Sequence, residues 1–164
     1  KAARMLWWPY PWWPWISQKA LLGKYNELVK FNPSFLKTDE FNFSFSGMKS
    51  QVYYLLHDLE KKWIELNEQL ICDIAFAFEE AVCEVLSNKL VKAAKLHDAQ
   101  MIWIVWWVSA SDRLIMVAKE QASKKLKSEI PVIRPISKKY CMDNAGMIWV
   151  VGIIKYLSSN KKDV

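Results

Sequence analysis

The residues best placed for chemistry are Trp106-Trp107-Val108-Ser109-Ala110-Ser111, where an apolar run ends and a helical pattern begins. Ligands of α/β folds bind beyond the carboxyl ends of strands, and the free amides of a following helix favour phosphate. Backbone can approach a phosphate or an adenine there only if side chains stay clear, which is why such turns use glycine. Two indoles occupy that place instead. Ser109 and Asp112 have the spacing of a capping box, and Ser109 and Ser111 read as caps rather than nucleophiles. Asp143, just before a second helical pattern, is either an N-cap or a metal ligand whose partners come from elsewhere. His57 and His97, the only histidines, fall on polar parts of helices, and no hydrolase triad signature accompanies them. Cys72, Cys83 and Cys141 lack metal-ligand spacing. Cys72 and Cys83 fall on one helix about 16 Å apart, too far to pair while it is intact.

The elements that must position these residues alternate in type. Lys1 to Leu6 read as the end of a helix stopped by Pro9, Pro11 and Pro14. Helical character resumes from Ile16 to Val29, and Phe31 to Glu40 form a polar connection. Phe41, Phe43 and Phe45 alternate with polar residues as in a half-buried strand. Val52, Leu55, Leu56, Leu59 and Trp63 then mark one face of a helix. A long amphipathic helix runs from Gln69 to about Leu96, its stripe of Ile74, Phe78, Val82, Val85 and others read as core without chemistry. Met101 to Val105 predict a strand buried on both faces. A helix through roughly Lys127, a strand at Pro131 to Arg134 and a helix from Asn144 to about Leu157 complete an α/β pattern with a largely helical insertion over residues 16–96 and a strand-helix-strand-helix lobe over 100–164.

Composition bounds the possibilities. With 164 residues, 52% of them hydrophobic, the chain can bury a core and fits one domain or a large piece of one. The formal charge of +6 is concentrated in the C-terminal third, which suits a polyanionic partner such as RNA or is simply a solvated face. Cysteine usage fits a reduced, cytoplasmic protein. No signal peptide opens the chain and no apolar run reaches the roughly 20 residues that span a bilayer. The start at Lys1, in mid-helix, gives the expectation of a fragment lacking its N-terminal part.

Four motifs carry a resemblance. Phe43-Ser44-Phe45-Ser46-Gly47-Met48-Lys49 resembles FSFSGLK, and Ala77-Phe78-Glu79-Glu80-Ala81-Val82 resembles AFEEAVV or AFQEAVV. Val108-Ser109-Ala110-Ser111 resembles the end of AGGVSAN, and Tyr140-Cys141-Met142-Asp143-Asn144-Ala145-Gly146-Met147-Ile148 resembles YCTDNAAMI. In this order and spacing, across essentially the whole chain, they resemble the C-terminal half of the tRNA threonylcarbamoyladenosine synthesis transferase family, TsaD. The resemblance implies an actin-like ATPase (ribonuclease H-like) fold. It also implies transfer of a threonylcarbamoyl group from its adenylate to the adenosine beside the anticodon, in tRNAs that read codons beginning with A. The implied cofactors are ATP or threonylcarbamoyl-adenylate and one divalent metal ion, iron or zinc, held by two histidines of an HxxxH motif and an aspartate. That aspartate falls on Asp143; the histidines, the SGGHT phosphate loop and a further substrate-contacting aspartate fall upstream of Lys1. The implied partners are tRNA, a catalytically inactive paralogue and a small ATPase.

The same resemblance puts tryptophan where the family has glycine. LLGLPYPGGP corresponds to Met5-Leu6-Trp7-Trp8-Pro9-Tyr10-Pro11-Trp12-Trp13-Pro14, and the second glycine of its pair, a substrate contact, falls on Trp13. Ser17 stands where many members carry aspartate. The AGGVSAN glycines fall on Trp106 and Trp107, and its asparagine on Ser111. Trp7 and Trp12 also replace glycines; Trp8, Trp103 and Trp149 stand at small or apolar positions, and Trp15 and Trp63 need no special account. A single hypothesis covers the pattern: codons UGA meant as glycine have been read as tryptophan. Returning those positions to glycine lifts a count of 4 toward the roughly 11 or 12 usual for this length. Two other classes compete. One keeps the fold without this catalysis, as an interaction subunit or another actin-like carbamoyl transferase. The other is a membrane-surface binder built on the Trp- and Pro-rich segment, which leaves the four motifs unexplained.

Overall fold

The structure, a computed structural model, describes residues 12–33, 41–126, 130–141 and 145–159, without the side chains of Trp12, Trp13 and Pro14. Its elements are α1 (Trp12–Ala20), α2 (Ser46–Lys61), α3 (Glu68–Leu96), β1 (Ile102–Trp103), a 3-10 turn (Trp107–Ala110), α4 (Asp112–Lys125), β2 (Val132–Ile133), a second 3-10 turn (Lys138–Cys141) and α5 (Ala145–Ser159). The expected helix end at Lys1 to Leu6, the proline series through Pro11 and most of the connection before Phe41 lie outside the described residues.

Helix α3 organises the rest. Asn67 caps it by accepting the Leu70 N–H at 2.9 Å, and its 29 residues contain neither glycine nor proline. Past the cap residue His97, Asp98 turns to φ 47° and the Ala99 N–H closes on the Ala94 carbonyl at 2.9 Å. A left-handed residue one step beyond a helix end, with this backward bond, satisfies carbonyls the helix leaves open, and aspartate tolerates that conformation. The apolar stripe expected from the sequence is buried at Ile74, Val82 and Val85, and α3 packs against both α1 and α4.

Helix α1 starts earlier and stops sooner than the span Ile16 to Val29 predicted. It is stopped by a competing set of hydrogen bonds. The buried Asp73 carboxylate of α3 accepts from the Lys24 N–H at 3.0 Å, Asn26 Nδ2 at 2.9 Å and Gln69 Nε2 at 2.8 Å. Burial pushes the Asp73 carboxyl up, and the bonds from Asn26, Gln69 and Lys24 outweigh it, leaving the group below its ordinary value. The approach is tight: a Cβ at Gly23 would lie 2.1 Å from the Cys72 carbonyl oxygen and 2.7 Å from Phe76 Cβ. Glycine is required there by contact with a helix backbone.

The alternation at Phe41, Phe43 and Phe45 does not make a strand. These residues form a loop with all three rings exposed, because among the described residues no strand lies beside them to complete a ladder. Phe43 stacks on Phe45 with ring centroids 6.1 Å apart, and Lys89 and Lys92 of α3 lie over Phe43 and Phe41 at 5.9 and 5.8 Å.

Trp63, expected on the apolar face of α2, lies beyond its end and is 95% exposed. Its φ is 56°, and the flanking bonds, Trp63 N–H to the Glu60 carbonyl and Ile64 N–H to the Leu59 carbonyl, both 3.0 Å, are those of a helix terminus that ordinarily uses glycine. Trp63 therefore does need a special account. It joins the tryptophans that stand where glycine fits.

Strands β1 and β2 pair in parallel, Ile102 with Val132 and Trp103 with Ile133. The Ile104 N–H extends the pairing to the Ile133 carbonyl at 3.0 Å. Ile102, Ile104 and Val132 face a core shared with Leu114 and Ala118 of α4. The other face is open, with Trp103 and Val105 exposed, contrary to the strand buried on both sides that the apolar run predicts. Only one layer of helix covers the sheet among the described residues. Helix α5, apolar almost all round, likewise has no buried residue.

Candidate nucleotide site

After β1 the chain must turn sharply to start α4, and Trp106 makes that turn. Its backbone has φ 70° and ψ −175°, a region open essentially to glycine alone. The Trp106 carbonyl accepts two bonds that hold the turn, from Ser109 Oγ at 2.6 Å and the Ser109 N–H at 3.0 Å. Trp106 and Trp107 are each 49% exposed, so both indoles stand at the surface of the strand-helix junction rather than in the core.

The cap of α4 is Ser111, whose Oγ accepts the Leu114 N–H at 3.2 Å, and not Ser109 as the capping-box spacing predicts. The 3-10 turn inserted after Trp106 shifts the true helix start by two residues. Ser109 is wholly buried and serves the turn. Around the junction the charges are mostly positive and tied together. Arg134 Nη1 donates to the Ser109 carbonyl at 3.3 Å and pairs with Asp112 at 2.7 Å, and Lys138 pairs with the other Asp112 oxygen at 2.7 Å. Lys138 and then Arg134 hold the Asp112 carboxyl below its ordinary value.

Ser17 on α1 and Ser111 before α4 are brought to the same stripe of α3. Ser17 Oγ donates to Glu79 Oε1 at 2.6 Å, and Ser111 lies close enough to Cys83 to act on its thiol. Glu79 and Cys83 are one helical turn apart and so share a face. Between them, Glu80 takes a bidentate pair from Arg113 of α4, its Nε and its Nη2. Burial drives the Cys83 thiol up to about 12, reinforced by Glu79 and Glu80 and opposed by Arg113 and Ser111, so this cysteine stays protonated and is no nucleophile. Burial also raises the Glu79 carboxyl, against the bond from Ser17; Glu80 adds to the rise and Arg113 opposes it. Sequence reasoning missed Glu79, Glu80, Cys83 and Arg113. The available signal was a pair of acids inside an apolar helical stripe, a costly placement unless each is partnered.

The other expected site residues are less accessible to description. Trp13 is the second residue of α1, one turn before Ser17, and its side chain lies outside what is described. Asp143 lies outside the described residues altogether. Among the described residues no group of three or more His, Cys, Asp or Glu could hold a metal ion. His57 and His97 are exposed, and the three cysteines are free and buried. Among the described residues, too, no helix is long and apolar enough to cross a membrane.

A strand that ends in a glycine-type turn, followed by a capped helix with basic residues near its start, places the chain among α/β proteins whose strand-helix junctions can take up phosphate. The comparison with known proteins narrows this class. The family described as tRNA N6-adenosine threonylcarbamoyltransferase (TsaD) matches residues 1–150, and the chain belongs to it. Membership implies the actin-like, ribonuclease H-like fold. Among its relatives, the tRNA N6-adenosine threonylcarbamoyltransferase of Staphylococcus epidermidis is 34% identical over 100% of this chain and 46% of that protein. Those of Bacillus cereus and Desulfotalea psychrophila are 33% and 34% identical, over 95% and 96% of the chain and 43% and 44% of their own lengths. The chain thus spans about half the length of the curated relatives it matches.

Proposed function

We propose that the complete protein transfers a threonylcarbamoyl group from threonylcarbamoyl-adenylate to the adenosine beside the tRNA anticodon. In this reading the chain is the C-terminal half of the enzyme, with residues 16–96 a helical layer and 100–164 the lobe that carries the nucleotide turn. The observation that carries it is Trp106: the AGGVSAN resemblance implies a glycine of the nucleotide turn there, and the backbone independently adopts a conformation that only glycine takes without strain.

The residues then divide the work. Backbone at positions 106 and 107 approaches the nucleotide, the free amides at the start of α4 face negative charge, and Ser17 and Ser111 offer hydroxyls held on α3. Trp13 marks a further contact at the start of α1. Asp143 would be one ligand of an iron or zinc ion whose histidine ligands belong to the other half. tRNA, an inactive paralogue and a small ATPase would be partners, in the cytoplasm.

The test compares the complete protein made with tryptophan at positions 12, 13, 106 and 107 against the quadruple variant Trp12→Gly, Trp13→Gly, Trp106→Gly and Trp107→Gly. ATP binding and formation of the modified nucleoside in tRNA are expected only in the variant. Tight ATP binding by the tryptophan form refutes the reading that indoles block the turn, and UGG codons at these positions in the coding DNA refute recoding.

A further inference from the structure

The second 3-10 turn, Lys138–Cys141, carries an inference that rests on the transferase reading and says where the RNA docks. Lys138, Lys139 and Tyr140 are exposed, whereas Cys141 is buried and anchors the end of the turn. The Tyr140 N–H closes it on the Ser137 carbonyl at 2.9 Å. This turn packs against the first 3-10 turn, the one Trp106 opens, so its exposed side chains flank the nucleotide turn. Arg134 joins them: it donates to the Ser109 carbonyl at 3.3 Å and shares the Asp112 carboxylate with Lys138. Two cations on one carboxylate leave a positive group, and the shared anion offsets the repulsion between them. Lys139 adds a further cation. The Tyr140 ring is 54% exposed, so packing into the core does not explain an aromatic residue there.

Cations that follow a phosphate backbone, beside an aromatic ring on which a base stacks, are the means by which proteins hold single-stranded nucleic acid. Loops of RNA offer such unstacked bases, and duplexes do not. We propose that this turn docks the single-stranded loop of the RNA substrate. Tyr140 stacks on a base neighbouring the reacting adenosine, and Arg134, Lys138 and Lys139 neutralise the phosphates beside it. Charge complementarity and the position against the nucleotide turn select this occupant. An acidic protein segment would satisfy the cations and leave the ring unused, and ATP carries a single base, which the nucleotide turn takes.

The experiment uses the complete protein carrying glycine at the four turn positions and measures equilibrium binding of an anticodon stem-loop RNA, without ATP, over a range of salt. Lys138→Gln with Lys139→Gln should reduce the slope of log affinity against log salt by about 1.4, two phosphate contacts on a single strand. Lys124→Gln with Lys125→Gln removes the same charge at the far end of α4, about 18 Å from Asp112 along the axis, and should leave the slope unchanged. Tyr140→Ala should weaken the stem-loop about five- to hundredfold, the worth of one stacked base, and Tyr140→Phe should bind it as the parent does. Neither tyrosine variant should alter binding of the stem duplex alone or of ATP. The substituted side chains are exposed, so these variants fold as the parent does. An unchanged salt slope in the first lysine pair, an equal loss in the second, or parental stem-loop binding by Tyr140→Ala overturns the proposal and leaves the transferase reading intact. So does a first pair that keeps its stem-loop affinity and loses only polyglutamate, the mark of an acidic protein partner. A glycine-bearing parent that binds ATP but neither binds nor modifies tRNA overturns both.

Discussion

Replacing Trp106 separately by glycine and by alanine isolates the backbone demand at the nucleotide turn. The indole is half exposed, and both substitutions remove it, so its packing cancels in the comparison. What differs is the Cβ. At φ 70° and ψ −175° a Cβ costs about 1–3 kcal/mol, which alanine retains and glycine relieves. Glycine in turn loses about 0.4–1 kcal/mol through the extra freedom of its unfolded chain. Trp106→Gly should therefore be more stable than Trp106→Ala by roughly 0.5–2 kcal/mol. Trp107 is the internal control. It is equally exposed, its φ is not positive, and it lies in the 3-10 turn, so there alanine should exceed glycine by about 0.4–1 kcal/mol. Urea unfolding of the complete protein, with midpoints compared at equal slope, reads both differences. Alanine at 106 as stable as glycine, or the same order at 106 and 107, would refute the glycine-turn argument.

Three further outcomes are expected. Trp63→Gly should stabilise by about 1 kcal/mol, because the exposed indole contributes little packing and its left-handed backbone is relieved, whereas Trp63→Ala should not; thermal unfolding distinguishes the two. Gly23→Ala should cost about 1–3 kcal/mol or more by forcing α1 away from α3, seen as a lower unfolding midpoint and weaker nucleotide binding through displaced Ser17. Asp73 binds its proton less readily when folded, so its stabilisation is complete above the ordinary value of 3.8 and fades as pH falls through the lower folded value. Asp73→Asn should flatten the acid limb of a stability-against-pH curve; an unchanged limb would exclude Asp73 as its source.

Helix α3 was legible because its period is long and unbroken, and the parallel strand pair was legible from two apolar runs around a helix. The failures have local causes. Phe41, Phe43 and Phe45 have a strand's alternation but no partner strand among the described residues, and periodicity carries no information about partners. Ser109 and Asp112 have a capping spacing, yet the turn at Trp106 consumes the first serine and hands the cap to Ser111. The helix from Ile16 ends early because Asp73, remote in sequence, takes the Lys24 and Asn26 donors. The acids on α3 were passed over because an apolar stripe reads as core, and only the fold brings Ser17 and Arg113 to Glu79 and Glu80. The candidate turn was readable from residue types, and the resemblance put glycine at both 106 and 107; the backbone angles single out 106 as the position that needs it.

One continuous helix lies behind both hydroxyls of the candidate site, with Glu79 bonded by Ser17 and Cys83 beside Ser111. Those anchors are four residues apart, about 6 Å along the axis, a spacing that the backbone hydrogen bonds of a helix do not let vary. This half of the site is mechanically a single jaw. On the proposed reading, a nucleotide entering or leaving meets Ser17, Ser111 and the turn between β1 and α4 as one unit.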